Sequence, residues 1–400
     1  MPGKEVDGGG LRKMGSKLRD LANRTADISY FATCARGLEP VLTEELYTLK
    51  AEKVTPGRGG VGFSGPRDLL YRANLWLRTA VRVLQPILEA VVADADELYQ
   101  AVQTVDWTQY LTPTHTLAVD CNVRDSGITH SLFAARRVKD AICDQFISKT
   151  GKRPSVDTDR PMLGLNLHIH RDKAILSLDS SWDSLHKRGY RPALTVAPLN
   201  EALAAGLLWH TGWRGDVPLV DPMCGSGVFS IEGAWLAVNR PPGLTRKHFG
   251  FMGWMDYDVR LWADLRDEAR AGVKKQLPAP IIGQDIRGDV KDFAAVNAKT
   301  AGVGHLVRFE KADVRKFQPP PGPPGVIVIN PPYGERIGEE REVKLLYRDI
   351  GKAFAATAAG WQVFVFTSRE SPWREFGLKL EKATPFFNGK IECQLLKFVP

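Results

Sequence analysis

The hydrophobic pattern changes texture near residue 200. Before that point strands and helices alternate irregularly. "ISYFATCARGLEPVLTEELYTLKA" (28 to 51) predicts a strand, a turn at Gly37, and a helix with Pro40 in its first turn and Leu38, Leu42, Leu46 and Leu49 on one stripe. "VGFSG" predicts another strand, and "RDLLYRANLWLRTAVRVLQPILEA" a helix running into a strand near Pro86. "LAVDCNVRDSG" alternates as a strand, a basic helix covers about 131 to 149, and "LGLNLHIHRDKAILSLDSS" predicts two strands across a turn at Arg171-Asp172. An Ala/Leu helix within 185 to 213 marks a junction. From residue 215 short apolar runs ("VPLVDP", "PIIGQD", "VRFEKAD", "GVIVINPP", "WQVFVFTS") are separated by amphipathic helices, the signature of an α/β doubly wound parallel sheet. The closing "TPFFNGKIECQLLKFV" predicts an antiparallel hairpin around Asn388-Gly389. The expected divisions are a mobile, weakly basic tail (1 to 26), two α+β modules (27 to 94 and 95 to 185), a linker with its leading helix (186 to 214), and the α/β domain (215 to 400).

Composition narrows the function classes. Four hundred residues exceed one ordinary hydrophobic core. With 44% hydrophobic and 25% charged residues, no run approaches the ~20 apolar residues of a membrane span. Residues 1 to 26 lack the apolar centre of a signal peptide, so a cytoplasmic location is expected. The cysteines (Cys34, Cys121, Cys143, Cys224, Cys393) are five in number and never spaced C-x-x-C, which argues against disulfides and a thiolate zinc site. His168 and His170 need only share one face of a strand, and no metal is expected. A net charge of +8 favours a polyanionic partner. Residues 124 to 153 hold seven Lys or Arg against three Asp, with Arg136, Arg137 and Lys139 clustered. The cluster is either a solvated helix face or a set of phosphate contacts.

Candidate chemistry lies in the second half. In "LVDPMCGSGVFSIEGAWLA" (219 to 237) a strand ends at Asp221, and Gly225 and Gly227 form the turn into a helix. Glycines there let a ligand approach the backbone at the carboxyl end of a strand, where open α/β sheets bind cofactors. The stretch lacks both the dinucleotide fingerprint and a G-K-[ST], and its acid suits a cationic ligand instead. "IIGQDIRGD" places Asp285 where a carboxylate can accept ribose hydroxyls, and "FEKADVRKF" places Asp313 where it can accept an adenine amino group. Each acid alone could equally cap a helix. In "VIVINPPYGE" (326 to 335), Asn330 offers a side-chain carbonyl and Pro331 a backbone carbonyl, two acceptors for a planar amino group. Tyr333 can stack on the ring that bears it, once the base has left its helix or where it lies in a loop. The plainer alternative is a proline-ended strand with an exposed tyrosine.

These residues resemble the class I S-adenosylmethionine-dependent methyltransferases of the N/D-P-P-Y/F/W type. More narrowly, the chain is similar to the THUMP-domain 23S ribosomal RNA guanine-N2 methyltransferases, the RlmL-type enzymes. The likeness rests on "FATCARGLEPVLTEEL", "YRANLWLRTAVRVL", "FAARRVKDAICDQF", "LHKRGYR", "APLNEALAAGLL", "DPMCGSG", "NPPYGERIG" and "FNGKIECQLLKF". It implies a ferredoxin-like module, a THUMP module that docks RNA, and a Rossmann-like domain with strand order 3-2-1-4-5-7-6. It further implies S-adenosylmethionine as cofactor and the 2-amino group of a 23S guanosine as acceptor; a monomer is expected.

By position, the resemblance gives Asp221, Pro222, Cys224, Gly225, Gly227, Asp285, Ile286, Asp313, Val314 and Asn330 to the cofactor. Asn330, Pro331, Pro332 and Tyr333 fall to the guanine, and Arg136, Arg137, Lys139, Lys187, Arg188 and Arg191 to RNA. Departures are Val228 and Ser230 in place of threonine and leucine, Arg287 where relatives carry a second acid, and Asn200 where they often carry lysine. Some relatives are fused to a second methyltransferase domain, which residues up to Pro400 do not include. Competing readings are a tRNA guanosine-N2 methyltransferase, a DNA adenine or protein glutamine methylator, and a catalytically silent RNA-binding ribosome-assembly protein.

Overall fold

The computed structural model describes residues 27 to 191, 199 to 333 and 340 to 400. The tail 1 to 26 and the "GERIG" part of "NPPYGERIG" lie outside the described residues.

The first half is built from β1 (Ile28–Cys34), α1 (Glu39–Thr48), β2 (Glu52–Gly57), β3 (Gly60–Gly65), α2 (Arg67–Trp76), β4 (Ala80–Val91), α3 (Ala95–Gln103), β5 (Thr116–Arg124), α4 (Ser131–Thr150), β6 (Ser155–Val156), β7 (Leu163–His170) and β8 (Lys173–Asp179). Leu38, Leu42 and Leu46 are fully buried, as the one-stripe pattern of α1 requires. Among the elements that escaped the sequence pattern are β2 and α3. The edge strand β2 (EKVTPG) is polar and contains Pro56, so it carries no alternation to read. The helix α3 is short, and Asp94 caps it by accepting from the amides of Asp96 and Glu97.

The two expected modules share one sheet, ordered β2-β3-β1-β4-β8-β7-β5-β6. The joint is β4, whose twelve residues suffice for two partners: Ala80 to Leu84 pair with β1 and Leu84 to Val91 with β8. The register shift between Pro86 and Leu88 accommodates the proline, which cannot donate to the ladder.

The second half opens with α5 (Glu201–His210) and continues through β9 (Leu219–Asp221), α6 (Val228–Ala237), α7 (Val259–Ala271), β10 (Ile281–Asp285), α8 (Gly288–Thr300), β11 (Val307–Lys311), β12 (Val326–Ile329), α9 (Glu340–Thr357), β13 (Gln362–Ser368), β14 (Lys379–Asn388) and β15 (Ile391–Val399). The sheet order is β11-β10-β9-β12-β13-β15-β14, which is 3-2-1-4-5-7-6 within this domain. The first five strands are parallel, and the hairpin is inserted so that β15 runs antiparallel to β13. Asn388 still belongs to β14, and the hairpin loop is Gly389-Lys390. Among the described residues no helix is long and apolar enough to cross a membrane.

The halves are packed as one body. A single hydrophobic cluster runs from Tyr30 through Leu207, Phe229 and Phe251 to Leu395. Polar atoms cross the junction too. Arg188, expected on an RNA surface, is only 1% exposed. It donates to the carbonyls of Leu185 (2.6 Å) and Arg78, and it lies 3.6 Å from Glu232, which also accepts from Tyr190 at 3.0 Å. Arg191 likewise turns inward, donating to Leu199 O at 2.8 Å and facing Glu201 at 3.6 Å, with 6% of its side chain exposed. Both are corrected from RNA contacts to interior ties, since a guanidinium that satisfies buried carbonyls cannot also neutralise a phosphate. Lys187 remains exposed, 3.5 Å from Asp183.

The same linker holds a histidine that responds to pH. Burial first, then the charges of Arg188, Lys187, Arg246 and Arg191, pull the His186 imidazole down from 6.5 to about 4. The unfolded chain therefore takes up this proton before the folded one. The stability that neutral His186 contributes is complete above pH 6.5 and is lost as pH falls toward 4. Melting temperatures recorded across that interval should decline, and His186→Gln should flatten part of the decline; an identical slope in the variant would contradict this assignment.

Candidate active site

Three neighbouring strands deliver the predicted residues to one edge of the sheet, because β10, β9 and β12 are parallel and adjacent. Asp221 ends β9 and is 1% exposed. Its carboxylate accepts from the Met223 amide at 3.2 Å, and among the described residues no cation pairs with it. Burial pushes this carboxyl well above the ordinary carboxylate range, against the Met223 amide and with added repulsion from Asp285. A cation bound beside it would favour its ionised form and draw that pKa back down.

The turn after it is made by glycine. Gly225 and Gly227 have φ of +52° and +81°, left-handed values that L side chains rarely adopt. A Cβ on Gly227 would lie 3.0 Å from Phe309 and 3.1 Å from Ala294, whereas among the described residues nothing lies within 4 Å of the corresponding point on Gly225. One glycine is needed for packing and the other faces open space. The turn is held from the neighbouring strand: Cys224 donates its amide to Gln284 O at 2.8 Å, and Gly225 donates its own to the Asp285 carboxylate at 3.1 Å. The other Asp285 oxygen accepts from the Arg287 amide at 3.0 Å. Cys224 is buried, Pro222 is interior, and Ile286 beside Asp285 is 53% exposed, an apolar surface next to the strand end.

Asp313 stands apart from this group in its bonding. It caps a short turn by accepting from the Arg315 amide, and the Arg315 guanidinium grips both its oxygens at 2.7 to 3.1 Å. Arg315 first among several causes holds its carboxyl below the ordinary range. The helix-cap alternative thus applies here, and an incoming amino group would have to share or displace Arg315. Val314, next to it, is buried.

Asn330 follows β12. Its side-chain carbonyl oxygen is buried and has no hydrogen-bond partner among the described residues. Such an acceptor costs about 1–3 kcal/mol when left unmade, so its persistence calls for a reason. The prolines after it fix the backbone, and Pro332 O accepts from the Tyr347 hydroxyl at 3.3 Å, itself 2.8 Å from Thr367 Oγ1. Tyr333 is not the exposed tyrosine of the plainer alternative, being 8% exposed. Its ring meets Phe366 edge-on at 6.5 Å, and its hydroxyl accepts from Asn388 Nδ2 at 3.2 Å with Cys393 Sγ 4.0 Å away. The sequence offers Asn388 and Cys393 only as hairpin residues. They lie 55 and 60 positions from Tyr333 and give no local signal of the contact.

The departures have structural roles. Asn200 caps α5, accepting from the amides of Ala202 (2.9 Å) and Leu203 (3.1 Å). Arg287 is paired with Asp289 at 2.5 Å. Val228 and Ser230 are buried in the first turn of α6. On α4, far along the chain from this edge, Arg137 pairs with Asp96 at 2.5 Å and stacks over Tyr99, and Lys139 pairs with Asp140 at 2.5 Å. Arg136 is exposed and has no carboxylate partner among the described residues. No group of three or more His, Cys, Asp or Glu is placed to hold a metal ion among those residues.

A model described as RMKL-like, methyltransferase domain matches residues 188–397. The chain belongs to the RMKL-like methyltransferase family. In this RMKL-like chain a THUMP domain model matches residues 92–179 and an RlmL ferredoxin-like domain model residues 29–84. It is 45% identical to the ribosomal RNA large subunit methyltransferase K/L of Syntrophotalea carbinolica, over 93% of this chain and 54% of that protein. It thus spans about half the length of that curated relative. A Synechocystis sp. protein named, by inference, an RNA methyltransferase is 41% identical over 92% of this chain and 96% of its own length. Among solved structures, SMU.472, a methyltransferase by inference and complexed with SAH, superposes with a TM-score of 0.85 at 30% identity, covering 93% of this chain and 98% of that one.

Proposed function

We propose that this chain transfers a methyl group from S-adenosylmethionine to the exocyclic N2 of a guanosine in 23S rRNA, acting in the cytoplasm. The observation that carries the reading is the buried carbonyl of Asn330 at the end of β12, without a partner among the described residues and one strand from the Asp221–Gly227 turn. The residues present fit the cofactor: Asp221 is a buried acid without a cation, Gly225 opens onto free space, and Asp285 ends the next strand. When bound, S-adenosylmethionine supplies an electrophilic methyl group on a sulfonium.

The protein's own residues position the acceptor. The Asn330 side-chain carbonyl and the Pro331 backbone carbonyl accept the two hydrogens of the planar amine. That holds its nitrogen lone pair out of plane toward the donor, and the carbonyls stabilise the positive charge that develops on transfer. Tyr347, held in turn by Thr367, donates to the following proline carbonyl, and Asn388 fixes the Tyr333 ring at the margin of the site. Asp221 and Asp285 favour a cationic donor over its neutral product. The THUMP module and the rRNA large subunit relatives support RNA, rather than DNA or protein, as the acceptor.

Nucleoside mass spectrometry of 23S rRNA and tRNA from a strain lacking the gene tests this. Loss of one N2-methylguanosine from 23S rRNA is expected. Loss from tRNA alone would move the substrate, and no loss from either would refute the activity.

A further inference from the structure

The turn between β1 and α1 is pressed against the C-terminal hairpin. Gly37 (φ +94°) sits so close that a Cβ there would lie 2.9 Å from Pro385 O and 3.1 Å from the Phe386 ring. The turn is rigid, because the Glu39 carboxylate accepts from the amides of Gly37 (2.7 Å) and Gly59 (2.9 Å), while Cys34 donates to Gly59 O at 2.9 Å. Arg36, between these anchors, is exposed, and its guanidinium carbon stands 4.1 Å from the centre of the Phe387 ring.

The place matters because the hairpin tip lies at the catalytic edge. β15 is antiparallel to β13, so Cys393 pairs with Ser368 at the carboxyl end of β13, and residues 388 to 391 extend from there. Asn388, the neighbour of Phe387, is the residue that holds the Tyr333 hydroxyl. β12 and β14 are three strand spacings apart, roughly 14 Å, a gap that a short stretch of single-stranded RNA crosses.

The charges around Arg36 favour an anion. Glu392 lies across the hairpin from Phe387 but is engaged by Arg369 at 3.3 Å, and Lys390 occupies the hairpin loop. Among the described residues Arg36 has no carboxylate partner. A guanidinium stacked flat on a ring keeps its N–H edge free for bidentate recognition of phosphate. We propose that Arg36 binds a backbone phosphate of the RNA strand whose base enters the Asn330 site, so that the N-terminal module completes the active-site rim. The proposal rests on the RNA methyltransferase reading above and adds the residue that grips the strand beside the target base.

The test uses the full chain, labelled S-adenosylmethionine and an unmodified 23S rRNA transcript, with initial rates measured over a salt series. Arg36→Ala should raise KM for RNA roughly tenfold, with kcat within about twofold and the melting temperature unchanged. The slope of log kcat/KM against log salt should shrink by about one, and Arg36→Lys should restore it. Phe387→Leu, which removes the ring and leaves the charge, should keep the wild-type slope. A purely structural staple would lower the melting temperature and leave the salt slope alone, and that result overturns the proposal. So does an Arg36→Ala enzyme with wild-type KM and slope, while the parent reading stands. A wild-type enzyme that binds S-adenosylmethionine yet leaves every transcript unmethylated removes the parent reading and this proposal together.

Discussion

Replacing Asn330 by alanine is expected to lower kcat/KM for methyl transfer by roughly 10²- to 10³-fold, the scale on which a positioned dipole acts on developing charge. The same substitution should leave the melting temperature unchanged or slightly raised. The side-chain carbonyl is buried without a partner among the described residues, so it opposes folding and its removal relieves that cost. Activity and stability moving in opposite directions would separate a site residue from a packing residue. Asn330→Asp offers a control: the carboxylate keeps an acceptor but adds a charge at a buried position, so it should lose activity and stability together. Equal rates for the alanine variant and the wild type would remove Asn330 from the mechanism.

The second large effect concerns stability. Arg188→Ala should destabilise the protein by about 3–5 kcal/mol, as breaking one side of a buried charge pair does. Glu232, which accepts from Tyr190, would be left in the interior without the nearby guanidinium, and the carbonyls of Leu185 and Arg78 would lose their donors. Because one hydrophobic cluster spans both halves, the loss should appear as an earlier unfolding of the whole body in a denaturant series, not of one half alone. Salt dependence of RNA binding by the fraction still folded should match wild type. A variant of normal stability with a reduced salt slope would return Arg188 to the RNA surface.

Much of the second half was legible because its signals are local. Each buried run ends on the residue that matters, Asp221, Asp285 or Asn330, and glycine marks the turn that only a left-handed backbone can make. The Asn388-Gly389 signal gave the hairpin, and the resemblance gave the strand order that the structure adopts. What escaped depends on distance in sequence. Nothing in "RTAVRVLQPILEA" says that one strand will serve two modules, since the double pairing of β4 is a property of its partners. Charge alone also misled. "LHKRGYR" is basic in sequence, yet Arg188 and Arg191 face inward, where buried carbonyls and the acids Glu232 and Glu201 await them. For Asp313 the spacing to Arg315, two residues on, did contain the competing partner. The contacts of Tyr333 with Asn388 and of Arg36 with Phe387 join segments that only the folded sheet brings together.

The proposed reaction is methylation of guanine N2 in 23S rRNA at the Asn330 edge. Its most direct test is to incubate the purified protein with S-adenosylmethionine and an unmodified 23S rRNA transcript, then digest the RNA and identify the methylated nucleoside by mass spectrometry. N2-methylguanosine, formed by the wild type and absent with Asn330→Ala, is the predicted result; methyl on another nucleoside, or none from a wild-type protein that binds S-adenosylmethionine, would contradict it.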